Sequence, residues 1–247
     1  MLLAMMILGI DTAATMASAA LVEEGKLVLE EVQPIAPQCG GRASPSARAN
    51  HAATLLPLID RLFHKAGISF EEISALAVSL GPGSFTGLRI GLSTVKGLAY
   101  GWNIPVVGVP TLPATAARVT EREGLICPFL DARKGEVYTS LFTRQGQRLE
   151  RMTPDLVAPP EKIIERVRAL HKGESSLFIG DGTKIYGDLI RSSLGAEAVL
   201  TLGEEYPSTA SAVARLGEEK VHRGDVDPLG PLVPFYLRLS EAELKKA

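Results

Sequence analysis

The chain has 247 residues, 26 Lys plus Arg against 28 Asp plus Glu, a net charge of −2 and 46% hydrophobic residues. That length suits one large domain or two smaller ones, with enough chain to bury a core without metal or disulfide staples. The charge balance argues against a dedicated nucleic-acid gripper, which needs a concentrated excess of Lys and Arg. Cys39 and Cys127 stand far apart with no Cys-x-x-Cys, so neither a disulfide framework nor a zinc site is indicated, and a reducing cytoplasm fits.

Met1 to Ile10 is apolar, lacks a basic leader and is too short to span a bilayer, so it reads as a buried strand ending on Asp11. Met16 to Leu21 and Lys26 to Val32 continue a three-stranded meander that turns at Gly25. Pro34 to Arg48, rich in Pro, Gly, Ser and Ala, reads as a mobile loop. The spacing of Leu55, Leu58, Ile59 and Leu62 predicts a helix over His51 to Lys65 in spite of Pro57. Ile73 to Leu80 is a strand, Gly81 to Gly87 a Gly-rich turn, Leu88 to Tyr100 a helix, Pro105 to Val109 a strand and Leu112 to Val119 a helix.

The second half repeats this order. A strand Ile126 to Leu130 ends on Asp131, Glu136 to Phe142 follows, and Gln147 to Met152 closes a second meander turning at Gly146. Asp11 to Gly25 spans 14 positions and Asp131 to Gly146 spans 15, which predicts superposable meanders. A helix Pro159 to Leu170, a strand Ser176 to Ile179, a turn Gly180 to Gly182 and a helix Thr183 to Ser192 complete the duplication. Two α/β lobes facing across a cleft are therefore expected. Ser208 should cap a helix running to Val221, Pro228 to Leu239 should be extended, and Ser240 should cap a short last helix to Lys246.

The Gly81 to Gly87 turn could receive an anion on backbone N–H groups at a helix start, yet it fits neither Gly-x-x-x-x-Gly-Lys-Ser/Thr nor Gly-x-Gly-x-x-Gly. A tight turn that lets the helix approach the sheet is the alternative. Arg89, in the first helical turn, is badly placed for a cation unless a carboxylate or phosphate lies near. Asp11 and Asp131, at strand ends, could hold magnesium through water or could accept hydrogen bonds from turn N–H groups. No two of His51, His64, His171 and His222 are three or four apart, so a helical metal pair is absent, and no Gly-x-Ser-x-Gly elbow occurs. Gly87, Gly91, Gly97 and Gly101 lie on one predicted helix, where each costs about 1 kcal/mol against Ala. Their spacings suggest packing on the sheet or a flat face offered to another protein.

Ile7 to Ala13, Leu55 to Asp60, Gly81 to Gly91, Leu130 to Tyr138 and Pro234 to Arg238 resemble the bacterial TsaB family, also called YeaZ. The resemblance implies an α/β fold of two duplicated actin-like, Hsp70-like and sugar-kinase-like (ASKHA, ribonuclease H-like) lobes, here placed at 1–108 and 109–247, with the terminal helix and tail packing back on the first lobe. It implies a non-catalytic subunit that pairs with the catalytic TsaD, works with the ATPase TsaE, and serves the transfer of a threonylcarbamoyl group to N6 of adenine 37 in tRNAs reading ANN codons. Contact with tRNA would be indirect, through the complex. By the same resemblance the helices at His51 and Leu88 make the TsaD contact, and a homodimer when TsaD is missing. The interface residues would be His51, Leu55, Leu58, Arg89, Gly91, Val95, Gly97 and Leu98.

Two departures support the scaffold reading. The catalytic paralogue's His-x-x-x-His is here His51 to Leu55, and the fold's Asp-x-Gly-Thr/Ser is here Asp11-Thr12-Ala13-Ala14. Asp11, Thr12, Gly81, Gly83 and Ser84 are then a vestigial phosphate site. No cofactor is required by the chain; a weakly held nucleotide or magnesium, at the cleft or partner interface, is the one cofactor expectation. The competing reading is a stand-alone ATPase or phosphotransferase of the actin-like class. A cytoplasmic location and no membrane partner are expected.

Overall fold

The computed structural model describes residues 5–34, 51–170, 175–201 and 208–238. The chain divides into two compact units, Met1–Thr111 with Ser208–Phe235, and Leu112–Pro207 with Tyr236–Ala247.

The first unit opens with β1 (Met6–Asp11), β2 (Met16–Glu23) and β3 (Lys26–Pro34), an antiparallel meander whose hairpin turn places Glu24 and Gly25 in the left-handed region. Helix α1 (His51–Ala66) leads to β4 (Ala75–Gly81), and α2 (Phe85–Trp102) leads to β5 (Val106–Pro110). β4 lies parallel to β1, and β5 parallel to β4, so the sheet order is β3-β2-β1-β4-β5. Parallel neighbours need crossover connections, and α1 and α2 supply helical ones. Alternation then assigns the faces. Leu8, Ile10, Leu76 and Val78 join Leu55, Leu58 and Leu62 of α1 and Leu92 and Val95 of α2 in one buried cluster.

The opposite face is covered by α6 (Ala210–His222), which reaches the sheet through small residues. A Cβ on Gly9 would lie 2.3 Å from the Ala210 carbonyl oxygen and 2.7 Å from the Ala214 Cβ, and one on Gly217 would lie 2.4 Å from the Ala77 Cβ. Thr209, not Ser208, is the residue preceding α6; the Ser208 hydroxyl accepts the Ala210 N–H at 3.1 Å.

The second unit contains α3 (Thr111–Ala117, whose first residue belongs to the first unit), β6 (Gly124–Pro128), β7 (Leu130–Arg133), β8 (Glu136–Thr139), β9 (Phe142–Gln145), β10 (Arg148–Arg151), β11 (Leu156–Ala158), α4 (Pro160–Leu170), β12 (Ser176–Ile179), α5 (Gly182–Leu194) and β13 (Ala198–Leu200). Its main sheet runs β10-β9-β6-β12-β13. With β6, β9 and β10 standing for β1, β2 and β3, and β12 and β13 for β4 and β5, this is the order of the first sheet. The two main sheets therefore repeat one strand order, the duplicated α/β arrangement that the sequence leads one to expect.

The duplication is looser than the sequence spacing suggests. β7, β8 and β11 form a separate three-stranded sheet with no counterpart among the described residues of the first unit. The expected strand Ile126 to Leu130 breaks between Pro128, which has no N–H to extend the ladder, and Leu130. The expected strand Glu136 to Phe142 breaks where Thr153 inserts: the Ser140 hydroxyl donates to the Thr153 carbonyl at 2.6 Å, and the Leu141 N–H donates to the Thr153 hydroxyl at 2.9 Å. Asp131 is therefore not the equivalent of Asp11. Asp11 follows the last parallel pair, Ile10 with Val78, and the residue that follows Pro128 with Ile179 is Phe129.

The segment from Pro228 to Arg238 carries no regular strand, although Asp227 bridges Val106 just before it. Pro34 to Arg48, apart from Pro34 at the end of β3, and Ser240 to Lys246 lie outside the described residues.

Two measurements test the α6 seam. A Gly217→Ala chain should lose about 1–3 kcal/mol of stability in urea unfolding, because the added methyl meets Ala77 on a neighbouring element that cannot recede cheaply. Glu218, 5% exposed, accepts the Gly25 N–H at 2.7 Å through Oε2, while its Oε1 has no hydrogen-bond partner. Burial lifts its carboxyl above the ordinary value of 4.5; the Gly25 N–H and His222 pull it down, and Glu24 pushes it up. Because the folded value is raised, the charged form opposes folding, and this contribution falls away from stability as pH climbs from about 4.5 through the folded value. Relative to Glu218→Gln, wild-type stability should therefore decline across that climb; parallel profiles would contradict it.

Candidate functional site

Two turns at the C-terminal ends of β1 and β4 meet in the first unit. Asp11, buried at the end of β1, accepts the Ala13 N–H at 3.1 Å and a short hydrogen bond from the Ser79 hydroxyl, both at Oδ1. Thr12 Oγ1 donates to the Gly87 carbonyl at 2.8 Å. Gly81 has φ +121 and its N–H donates to Thr111 Oγ1 at 3.0 Å. A Cβ there would lie 2.3 Å from the Phe235 carbonyl oxygen, so only glycine combines that dihedral with that neighbour. Gly83 lets the Ala13 carbonyl in, since a Cβ would sit 2.4 Å from it, and the Ser84 N–H donates to the same carbonyl at 2.6 Å.

Ser84 precedes α2 and caps it, its hydroxyl accepting the Gly87 N–H at 3.2 Å. The five residues that sequence assigns to a vestigial phosphate site, Asp11, Thr12, Gly81, Gly83 and Ser84, are thus within one cluster. Three donors at this helix start are engaged inside the cluster: the Ser84 N–H with Ala13, the Gly87 N–H with Ser84 Oγ, and the Leu88 N–H with the Ser84 carbonyl. Arg89 places its guanidinium 3.8 Å from the Phe85 ring centroid, a cation–π contact between residues four apart on α2.

The helix glycines separate into two pairs. Gly87 and Gly91 are buried, and a Cβ on Gly91 would lie 2.3 Å from Thr12 Oγ1. Gly97 and Gly101 are exposed, and a Cβ on either would meet open space. The six positions from Gly91 to Gly97 turn the helix by about 600°, which is two-thirds of a turn out of register. The outward stripe of α2 is Arg89, Ser93, Gly97, Tyr100 and Gly101, with Tyr100 85% exposed; α1 exposes Leu56, 52% exposed, and Asp60.

Several expected interface residues lie elsewhere. Leu55, Leu58 and Val95 are fully buried in the core of the first unit, and Leu98 packs partly against it. Gly91 is enclosed by Thr12, so a large side chain there would disturb the fold before any interface. These residues carry the helical periodicity because they face the sheet. The side chain of His51 lies outside what is described. Of the expected set, Arg89 and Gly97 are exposed on α2.

In the second unit Asp131 serves its own turn. Its carboxylate accepts the Arg133 N–H at 2.9 Å and pairs with the Arg133 guanidinium at 3.2 Å, while its own N–H donates to Asp181 Oδ1 at 2.9 Å. Burial raises the Asp181 carboxyl above its ordinary range, and the Asp131 N–H works against that rise. Sequence reading passed over Asp181, whose only signal was its place between Gly180 and Gly182. Among the described residues no group of three His, Cys, Asp or Glu side chains is placed to hold a metal ion, and no helix is long and apolar enough to cross a membrane.

Asp11→Ala removes the acceptor shared by Ala13 and Ser79 and should cost about 1–3 kcal/mol of stability, measured by urea unfolding. Unchanged stability would show that the carboxylate is not part of this framework.

The model of the family described as TsaD, tRNA N6-adenosine threonylcarbamoyltransferase, matches residues 26–246. The tRNA threonylcarbamoyladenosine biosynthesis protein TsaB of Bacillus subtilis (strain 168) is 32% identical over 241 residues, covering 98% of this chain and 97% of that protein. The protein of the same name from Escherichia coli (strain K12) is 31% identical over 238 residues, covering 95% of each. Among solved structures, YeaZ from Pseudomonas aeruginosa superposes with a TM-score of 0.74 at 28% identity, covering 94% of this chain and 100% of that one. With near-complete coverage in sequence and structure, the chain belongs to the TsaB (YeaZ) family.

Proposed function

We propose that this chain acts in tRNA threonylcarbamoyladenosine biosynthesis as a non-catalytic subunit that binds TsaD. The TsaD complex, with the ATPase TsaE in the larger assembly, transfers the threonylcarbamoyl group from its adenylate to N6 of adenine 37, and tRNA is met through that complex. The chain needs no cofactor of its own, works in the cytoplasm, and pairs with itself when TsaD is missing. Its full-length likeness to two proteins named for this pathway supports the pathway.

The observation that carries the subunit role is the outer stripe of α2. Tyr100 projects from it as an exposed aromatic, and Gly97 and Gly101 leave bare backbone beside it. Another helix can approach such a surface closely, and an exposed Tyr supplies contact area at low entropic cost. The engaged donors around Ser84 favour this role over a stand-alone ATPase, which would need them for a phosphate.

Mixing the chain with TsaD from the same organism and measuring mass by light scattering should give a heterodimer at micromolar concentration; two separate proteins would overturn the reading. A Gly97→Leu chain, whose new side chain enters open space, should keep its melting temperature and bind TsaD at least tenfold more weakly. Magnesium-dependent nucleotide turnover by the chain alone, lost in Asp11→Asn, would instead establish the enzyme reading.

A further inference from the structure

The grip of the β1 turn on α2 extends well into the helix. At its start, the Ala13 carbonyl takes the Ser84 N–H at 2.6 Å, and Gly83 lies flat against Ala13. One turn on, Thr12 Oγ1 donates to the Gly87 carbonyl at 2.8 Å. A further turn on, Gly91 passes so close to Thr12 that a Cβ would lie 2.3 Å from Oγ1, 3.5 Å from the Thr12 Cβ and 3.6 Å from Cγ2. From the N-cap Ser84 to Gly91 these contacts span about 10 Å along the helix axis at 1.5 Å per residue. A grip at one point would leave a helix free to tilt, whereas contacts spaced along its axis fix both depth and direction.

Thr12 is fully buried, and nothing in its bonding is needed to close the β1 turn, which Asp11 and the Ala13 N–H already hold. Its hydroxyl goes instead to a helix carbonyl that, in α-helical geometry, also accepts the Gly91 N–H. Thr12 therefore contacts α2 at both Gly87 and Gly91. The exposed positions of the same helix include Ser93, Gly97, Tyr100 and Gly101, with Ser93 and Tyr100 on the side away from Thr12.

We propose that Thr12 is a positioning residue, which sets the depth and tilt of α2 through Gly87 and Gly91 and so presents the outer stripe in the geometry that TsaD binds. This rests on the proposed docking of TsaD on α2. In place of holding a ligand, the paired turns hold a helix, and Thr12 governs partner affinity from the inner side of that helix, without touching the partner.

Thr12→Val keeps the shape and removes the donor, and Thr12→Ser keeps the donor and removes a methyl. Affinity for TsaD would be measured by titration calorimetry, with helix content followed by far-UV circular dichroism. Trp102 is the sole tryptophan and lies 4.0 Å from the Phe70 ring centroid at the far end of α2, so its emission reports tilt in the isolated chain. The expected result is at least tenfold weaker TsaD binding and a shifted Trp102 emission for folded Thr12→Val, with Thr12→Ser within twofold of wild type and unshifted. A folded Thr12→Val chain that binds TsaD like wild type overturns the inference.

Gly91→Ala presses on the same contact from the helix side and should also weaken binding; wild-type affinity there overturns the inference even if Thr12→Val fails to fold. If wild type itself does not bind TsaD, the docking reading fails on its own. Trp102 emission then still decides the positioning claim, because an unshifted Thr12→Val spectrum contradicts it.

Discussion

The organising constraint in the first unit is the near-contact of the Asp11 to Ala13 turn with the turn at Gly81 and the first helical turns of α2 up to Gly91. Glycine is required at Gly83 and Gly91 because Ala13 and Thr12 occupy the volume a side chain would need. The hydrogen bonds between the turns follow from that approach, since the Ser84 N–H reaches the Ala13 carbonyl and the Thr12 hydroxyl reaches the Gly87 carbonyl at short range. Such a seam tolerates little change, because closely packed backbone cannot give way as a flexible side chain can. It also explains how a Gly-rich turn between a strand and a helix can be structural: its polar groups face one another.

The same device appears on the other face of the sheet. Gly9 admits Ala210 and Ala214, and Gly217 admits Ala77, so α6 packs close to β1 and β4. Small residues on both sides of the first sheet hold the strands between close helices, with the larger apolar side chains concentrated under α1 and α2. The second unit keeps the five-strand order but seals its faces with larger groups, including Phe129 edge-on to Phe178 with ring centroids 5.6 Å apart. Two sheets of one topology thus reached different packing solutions, and the second unit carries a further three-stranded sheet.

Much of the architecture could be read from sequence because its signals are local. The apolar run ending at Asp11, the Gly25 hairpin and the Leu55–Leu62 periodicity each name an element within a few residues of its observed bounds. The duplication was legible in element order and misleading in spacing: the matched distances to Gly25 and Gly146 paired Asp11 with Asp131, although an intervening break puts Asp131 in another sheet. Burial on the helices was the harder part. Leu55, Leu58 and Val95 share the spacing of an exposed apolar face and of a buried one, and only the sheet beneath them decides which it is. The glycines of α2 divided for the same reason, and the role of Thr12 depends on a residue 75 positions away, which no window of sequence contains.

What distinguishes a supporting chain from a catalytic one is whether its strand-end carboxylate does chemistry or holds a turn. Asp11, with Ala13 and Ser79 both donating to Oδ1, has the bonding of a structural group. The most direct measurement is threonylcarbamoyladenosine formation by TsaD and TsaE reconstituted with an Asp11→Asn chain, normalised to the amount of heterodimer formed. Activity per heterodimer equal to wild type is the predicted result; a fall of tenfold or more at undiminished heterodimer would contradict the non-catalytic account.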